Sequence, residues 1–228
     1  MRSECAKIQI MSYHPHGNRF LALTLSLSAA VSAALAQTNP AIPTERQQFI
    51  DKLVAAAIER TNHSVKYVST YVHIDYPGGD VPADTGVCSD EIIRVYRVLG
   101  VDLQKEVHED LVKNWQGYPA KTKWHQVHPD SNIDHRRVPN LMVFFARKGE
   151  SLPISLRAMD YSPGDIVTWD LGGNVPHIGL VVNVKSTEGG RPLIVHNVGQ
   201  GPKMEDVLFS WEITGHYRYF GPPSLEAH

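Results

Sequence analysis

One cysteine carries most of the chemistry that this sequence can perform. The chain has two cysteines, Cys5 and Cys88, and Cys5 lies in a predicted export signal, so Cys88 is the single thiol expected in the mature protein. An apolar-periodic stretch follows Cys88 and predicts a helix that begins at the cysteine. At a helix start the macrodipole lowers the pKa of a thiol, and free backbone N–H groups can hold an oxyanion. We therefore expect Cys88 to be a nucleophile; the alternative is a buried, inert cysteine.

Two histidines are candidates for activating this thiol. His177 begins an apolar segment that runs to Val182, directly after a glycine-containing loop, so it is expected at the open end of a strand. Counted from the turn at Gly190, His177 lies thirteen residues back and His196 six residues forward, so the two meet only across a bulge or an irregular loop. We expect His177 to be the general base and His196 to orient its ring, with Asn197 or an acidic residue as the alternative third member.

The predicted helices come mostly before the predicted strands. Thr44 is a predicted N-cap, and Gln47 completes a capping box, for a helix that ends at Arg60. Further helices are predicted at 88–99, with Gly100 as the stop, at 108–114 and at 138–149. Strands are predicted at 65–74, 164–169, 177–182, 192–197 and 213–220, and the polar segment 118–140 is predicted to be irregular. This order predicts an α+β fold in which helices pack on an antiparallel β-meander.

The N-terminus predicts export. Arg19 precedes an apolar stretch that is too short to span a bilayer and ends in a small-residue run at Ala34-Leu35-Ala36, a pattern typical of a signal peptide cleaved after Ala36. The predicted organisation is a signal over 1–36, a short linker and helix start over 37–47, and one domain over 48–228, with no integral membrane segment in the mature chain. With 22 basic and 24 acidic residues the chain has no basic footprint for nucleic acid. We expect a periplasmic or secreted protein.

Several long motifs resemble a known bacterial family. They are Val87-Cys88-Ser89-Asp90, the run 132–141, Pro163 to Trp169, Pro176-His177-Ile178-Gly179, His196-Asn197-Val198-Gly199 and the run 213–219. From about residue 48 to 220 the chain resembles the DUF1287 family, which in turn is similar to the NlpC/P60 peptidases of the papain-like superfamily. That resemblance implies a papain-like core in which Cys88 is the nucleophile, His177 the base and His196 the third member.

The same resemblance implies cleavage or transfer at an amide, in cell-wall (peptidoglycan) peptides. NlpC/P60 proteins commonly carry Asp before the cysteine and Gly two after it, where this chain has Val87 and Asp90. They also have an upstream tyrosine that lines the substrate site, for which Tyr76 is the expected counterpart. Asp90 and Asn197 are further candidates for binding substrate. Arg136 belongs to a charged run that either holds a substrate carboxylate or forms a solvated loop.

Two other classes of function fit the sequence. One is a non-catalytic periplasmic binding or regulatory module on the same fold. The other is a zinc-dependent amidase that uses His125, His128 and His135, although neither H-E-x-x-H nor C-x-x-C spacing occurs. The expectation from the sequence is a thiol enzyme with no metal and no other cofactor, acting on a peptide substrate.

Overall fold

The computed structural model describes residues 44–223, which belong to one compact unit. The predicted signal over 1–36 and most of the predicted linker therefore lie outside the described residues. Within them, five α-helices are found: α1 Glu45–Arg60, α2 Cys88–Val98, α3 Leu103–Lys113, α4 Ala120–Trp124 and α5 Val138–Lys148. No helix among the described residues is long and apolar enough to cross a membrane.

The limits of the first two helices follow from local capping. The Thr44 hydroxyl accepts a hydrogen bond from the Gln47 N–H at 3.2 Å, which confirms Thr44 as the N-cap of α1. Beyond the C-terminal end of α2, Gly100 has a φ of 80°, a left-handed backbone conformation that glycine adopts without a steric penalty. The predicted stop at Gly100 is therefore confirmed, and it fixes the end of the helix that carries Cys88.

Eight strands form two sheets in the described part of the chain. The strands are β1 Lys66–Tyr67, β2 Thr85–Gly86, β3 Glu150–Ser151, β4 Ile166–Asp170, β5 Pro176–Lys185, β6 Pro192–His196, β7 Lys203–Glu205 and β8 Glu212–Arg218. The main sheet is antiparallel and has the order β3-β8-β4-β5-β6-β7, whereas β1 and β2 form a separate two-residue parallel pair. Helices and an antiparallel sheet together make this an α+β fold.

The main sheet has an apolar cluster on each face. Ile178, Leu180 and Val182 of β5 join Cys88 and the α-helices in the larger cluster. Val181, between Leu180 and Val182 in the same strand, belongs to a smaller cluster on the other face with Trp169 and Leu208. Because successive side chains of a strand point to opposite faces, neighbouring positions in β5 serve different layers.

Several parts of the chain differ from the prediction, among them the short strands β3 and β7, which were not expected. The strand expected over 65–74 is limited to Lys66–Tyr67. The Val68 N–H still donates to the Gly86 carbonyl, but beyond it side chains bind the backbone: Asn132 accepts from the Ile74 N–H, and Arg136 donates to the Thr70 carbonyl. The segment expected to be irregular over 118–140 contains the short helix α4. The helix expected over 108–114 begins five residues earlier, at Leu103, because Asp102 caps it by accepting from the Gln104 N–H. The helices α1, α2 and α5 and the β5–β6 hairpin lie close to their predicted positions.

Candidate active site

Cys88 is the first residue of α2 and lies beneath the protein surface. Its exposed fraction is 3%, and it packs with Ile178 in the cluster between α2 and the sheet. Burial raises the pKa of the thiol to about 11, and the backbone N–H groups of Ile178 and Ser89 partly oppose that rise. With its pKa raised in this way, the sulfur is a neutral thiol at neutral pH, in contrast to the thiolate expected from the helix start alone.

Tyr67 is the tyrosine that lies on the thiol. Its hydroxyl is 4.0 Å from Cys88 Sγ, and the side chain lies at the surface with an exposed fraction of 42%. The expected tyrosine, Tyr76, instead packs edge-on against His108, with ring centroids 5.1 Å apart. Tyr67 is brought to the thiol because β1 pairs with β2, and Tyr67 is aligned with Gly86, two residues before Cys88. The β-branched and aromatic residues around position 67 signalled a strand here, but not its partner.

The two predicted histidines are hydrogen-bonded to each other. His177 Nε2 lies 2.8 Å from His196 Nδ1, and His196 Nε2 lies 3.0 Å from a carboxylate oxygen of Glu205. A register shift in the β5–β6 pair between Val181 and Lys185 makes the first contact possible, since it aligns Gly179 with His196 despite the unequal arms of the hairpin. Glu205, which enters from β7, was not singled out in the sequence.

Burial sets the charge state of this chain of side chains. It lowers the pKa of His177 to about 3, with a smaller contribution from the neighbouring His196. Burial also lowers the pKa of His196, and the Glu205 carboxylate opposes that change. Both imidazoles are therefore neutral near pH 7, whereas Glu205, with its side chain 40% exposed, is placed to carry the negative charge.

Trp211 packs against the histidine pair. Its ring centroid lies 5.8 Å from that of His177 and 5.9 Å from that of His196, both in edge-on geometry. Trp169, aligned with His177 across the β4–β5 pair, has its ring 6.0 Å from the His177 ring. These contacts place the His177 ring on the face of the sheet that carries the smaller apolar cluster.

The thiol and the imidazole consequently lie on different sides of β5. Cys88 packs with Ile178 on the helical side, whereas the ring of His177 contacts the tryptophans on the other. Among residues 44–223 no hydrogen bond joins Cys88 Sγ to His177, and the sulfur instead lies beside the backbone N–H of Ile178, one residue further along the strand. The fold thus places the two residues on neighbouring elements without direct contact between the sulfur and the imidazole.

Three of the expected substrate-binding side chains are engaged within the fold. Asp90 and Arg136 form a buried, two-pronged ion pair with N–O distances of 2.9 and 3.0 Å. Asn197 is fully buried, and its side-chain oxygen accepts the Gly199 N–H at 3.0 Å. All three side chains are directed to neighbouring protein groups, which gives them a role in holding the site together.

One cavity touches the histidine pair and another lies beside it. The first, of about 110 Å³, is lined by His196, Glu205 and Lys203, and the second, an open groove of about 250 Å³, is lined by Pro176 and Trp169 at the start of β5. A larger groove, of about 740 Å³, lies at the other end of β5 beside Val182 and away from the histidines.

The histidines considered for zinc are not assembled into one site. His135 is buried, whereas His125 and His128 are exposed, and the His128 ring is hydrogen-bonded to the Pro129 carbonyl. Within the described part of the chain, no group of three or more histidine, cysteine, aspartate or glutamate side chains is placed to hold a metal ion.

Fold and site together define an α+β protein with a cysteine at a helix start and a His–His–Glu chain in the adjoining sheet. The sequence profile of the family described as "Domain of unknown function (DUF1287)" matches residues 54–219, and the chain belongs to that family. It is also similar to the Escherichia coli (strain K12) protein named "Uncharacterized protein YijF", with 47% identity over 204 residues, which are 88% of this chain and 97% of that protein.

Proposed function

We propose that this protein is a cysteine amidase or peptidase in which Cys88 attacks an amide carbonyl and His177 serves as the base. The observation that carries the proposal is the hydrogen-bonded chain from Glu205 through His196 to His177, next to a cysteine at the start of α2. A nucleophile near a base that is itself oriented by further groups is the arrangement that thiol and serine hydrolases share.

The chain of hydrogen bonds favours one tautomer of each ring. Glu205 accepts, so His196 donates from Nε2 and its Nδ1 carries a lone pair. That lone pair accepts from His177 Nε2, which leaves His177 Nδ1 without a proton. A neutral imidazole with a bare Nδ1 is the form that can take a proton from a thiol, and Trp211 shields it from water.

The proposed reaction has two stages. Cys88 Sγ forms a bond to the carbonyl carbon while its proton passes to His177 Nδ1, and free N–H groups at the start of α2 hold the oxyanion. The amide C–N bond then breaks as the proton moves to the leaving amine, and water hydrolyses the thioester. Because Cys88 and His177 lie on opposite sides of β5, this step requires a rearrangement at the start of that strand when substrate binds, and not only the shortening of an existing contact.

The substrate and the compartment come from the family resemblance and the N-terminal sequence. The order of a helix that begins with Cys, a Gly-Asp strand, a His strand and a third strand that ends in His supports a papain-like, NlpC/P60-type core. An exported enzyme of that type, in the periplasm or outside the cell, would act on peptides of the cell wall. No nucleic acid is part of the proposal.

Digestion of purified peptidoglycan, with mass spectrometry of the released fragments, tests this proposal. The wild-type protein is expected to release peptide fragments, to lose activity with iodoacetamide and to keep it with a chelator. Cys88→Ala and His177→Ala are expected to release none while melting as cooperatively as the wild type. Retained activity in folded Cys88→Ala would contradict the thiol mechanism, and loss of activity with the chelator would favour a zinc-dependent amidase.

A non-catalytic binding module is the second candidate, and one observation favours it. Cys88 and His177 are 3% and 1% exposed and are not hydrogen-bonded to each other, an arrangement that a protein without catalysis could retain. For such a module, calorimetry would find the same affinity for cell-wall peptides in the wild type and in Cys88→Ala, with no product released by either protein.

A further inference from the structure

Two motifs that are far apart in sequence meet at the start of α2. Cys88 is followed by Ser89 and Asp90, and both of these residues bind Arg136. The Ser89 hydroxyl donates to the Arg136 carbonyl at 2.7 Å, and the Asp90 carboxylate accepts from Nε and Nη2 of the Arg136 guanidinium. The first turn of the cysteine helix is thus attached to Arg136 through both backbone and side chain.

The same guanidinium also holds the segment that carries Tyr67. Arg136 Nη1 donates to the Thr70 carbonyl at 3.2 Å, and Nη2 lies 3.4 Å from the Val68 carbonyl. These carbonyls are one and three residues beyond Tyr67, just where the backbone leaves the short β1–β2 pair. Arg136 therefore bridges the helix that bears the thiol and the segment that bears the phenol.

The bridge is a buried ion pair whose geometry makes it selective for arginine. Asp90 and Arg136 are 2% and 6% exposed, and the Asp90 carboxylate is held further by the Val87 N–H at 2.7 Å. A guanidinium presents its donors in a fixed planar fork, so it can bind a carboxylate on one edge and carbonyls with its remaining donors. A lysine ammonium is a single point of charge and cannot make this set of contacts.

From these contacts we infer that Arg136 and Asp90 are positioning residues that hold Tyr67 over Cys88 and so control access to the thiol. The phenol is the exposed partner and the sulfur the buried one, 4.0 Å apart. If the bridge is weakened, the 68–70 segment is released from α2 and the thiol becomes reachable from solvent. The inference concerns the reactivity of Cys88 itself, so it does not depend on which reaction the protein catalyses.

The rate of alkylation of Cys88 by iodoacetamide measures that access without any substrate. The full chain is used, and modification is quantified on the Cys88 peptide by mass spectrometry, so Cys5 does not contribute. Arg136→Lys is expected to raise the rate about tenfold, the effect of weakening one or two hydrogen bonds to a charged group. Tyr67→Ala is expected to raise it at least as much, and the double variant to be no faster than Tyr67→Ala.

The control is Arg191→Lys, which weakens another arginine–aspartate fork, with Asp206, at the hairpin between β5 and β6, where the two side chains are 39% and 23% exposed. It is expected to leave the alkylation rate unchanged. A wild-type rate in folded Arg136→Lys, or an additive increase in the double variant, would overturn the inference. If Arg136→Lys does not fold, Asp90→Asn takes its place, and a wild-type rate in Tyr67→Ala would by itself refute a covering role for the phenol.

Discussion

The charge on Glu205 is expected to matter for catalysis although the residue lies two side chains away from the proposed base. Its carboxylate accepts from His196 Nε2, which fixes the proton positions on both imidazoles. In Glu205→Gln the side chain keeps its shape but loses its charge. When the new amide presents its NH₂ group to His196, the tautomers of both rings reverse and His177 Nδ1 becomes protonated, which removes the base.

The expected size of the effect follows from the exposure of the carboxylate. A hydrogen bond to a charged group contributes about 1.5–3 kcal/mol. The Glu205 side chain is 40% exposed, so solvent screening favours the lower end of that range. Since about 1.4 kcal/mol of transition-state stabilisation is a factor of ten in rate, kcat of Glu205→Gln is expected to fall about tenfold.

Two measurements check this prediction. Steady-state kinetics on a released-fragment assay should place the loss in kcat, with Glu212→Gln, the same change at an exposed position of β8, as the control with wild-type kinetics. Nitrogen NMR of labelled histidines should find His177 Nδ1 without a proton in the wild type. A protonated Nδ1 in the wild type, or equal kcat values for the two glutamine variants, would refute the tautomer argument.

Two further predictions concern stability. A Cβ at Gly179 would lie 2.6 Å from a side-chain atom of the neighbouring strand. Gly179→Ala should therefore lower the free energy of unfolding, measured in urea, by about 1–3 kcal/mol. Gly117 has open space around it, so Gly117→Ala should change that free energy by less than about 0.5 kcal/mol. Burial lowers the pKa of His135 to about 3 in the folded state, whereas in the unfolded state it is about 6.5. Between these values only the unfolded state binds a proton at this residue, so the free energy of unfolding decreases as the pH falls. His135→Asn should therefore reduce the slope of unfolding free energy against pH by about 1.4 kcal/mol per pH unit between pH 6 and 4, and exposed His125→Asn should not; equal slopes in both variants would contradict the assignment.

The parts of the site that could be predicted are those encoded by local sequence patterns. The helix at Cys88 was visible from apolar periodicity, and its end from Gly100. The need for a bulge between His177 and His196 followed from counting along the hairpin, and the register shift is present. In each case the signal and the structure lie within about twenty residues of each other.

The remaining parts depend on contacts between distant segments. Tyr67 reaches Cys88 through a two-residue parallel pair, and Asp90 meets Arg136 across 46 positions of the chain. Glu205 reaches His196 because β7 pairs with β6. Nothing in the composition of these segments specifies their partners, so a charged residue such as Asp90 or Arg136 had the same appearance as a residue that faces substrate.

The register shift in the β5–β6 hairpin separates the histidine pair from the hairpin tip. On one side of the shift Gly179 is aligned with His196, and on the other Lys185 is aligned with Pro192. The residues between them take up the mismatch, so a longer or shorter loop beyond Lys185 changes the tip without changing which side chains face each other near the histidines. The tip at Gly189 and Gly190 is therefore a site where evolution, or a protein engineer, can insert sequence while the Glu205–His196–His177 hydrogen bonds stay in alignment.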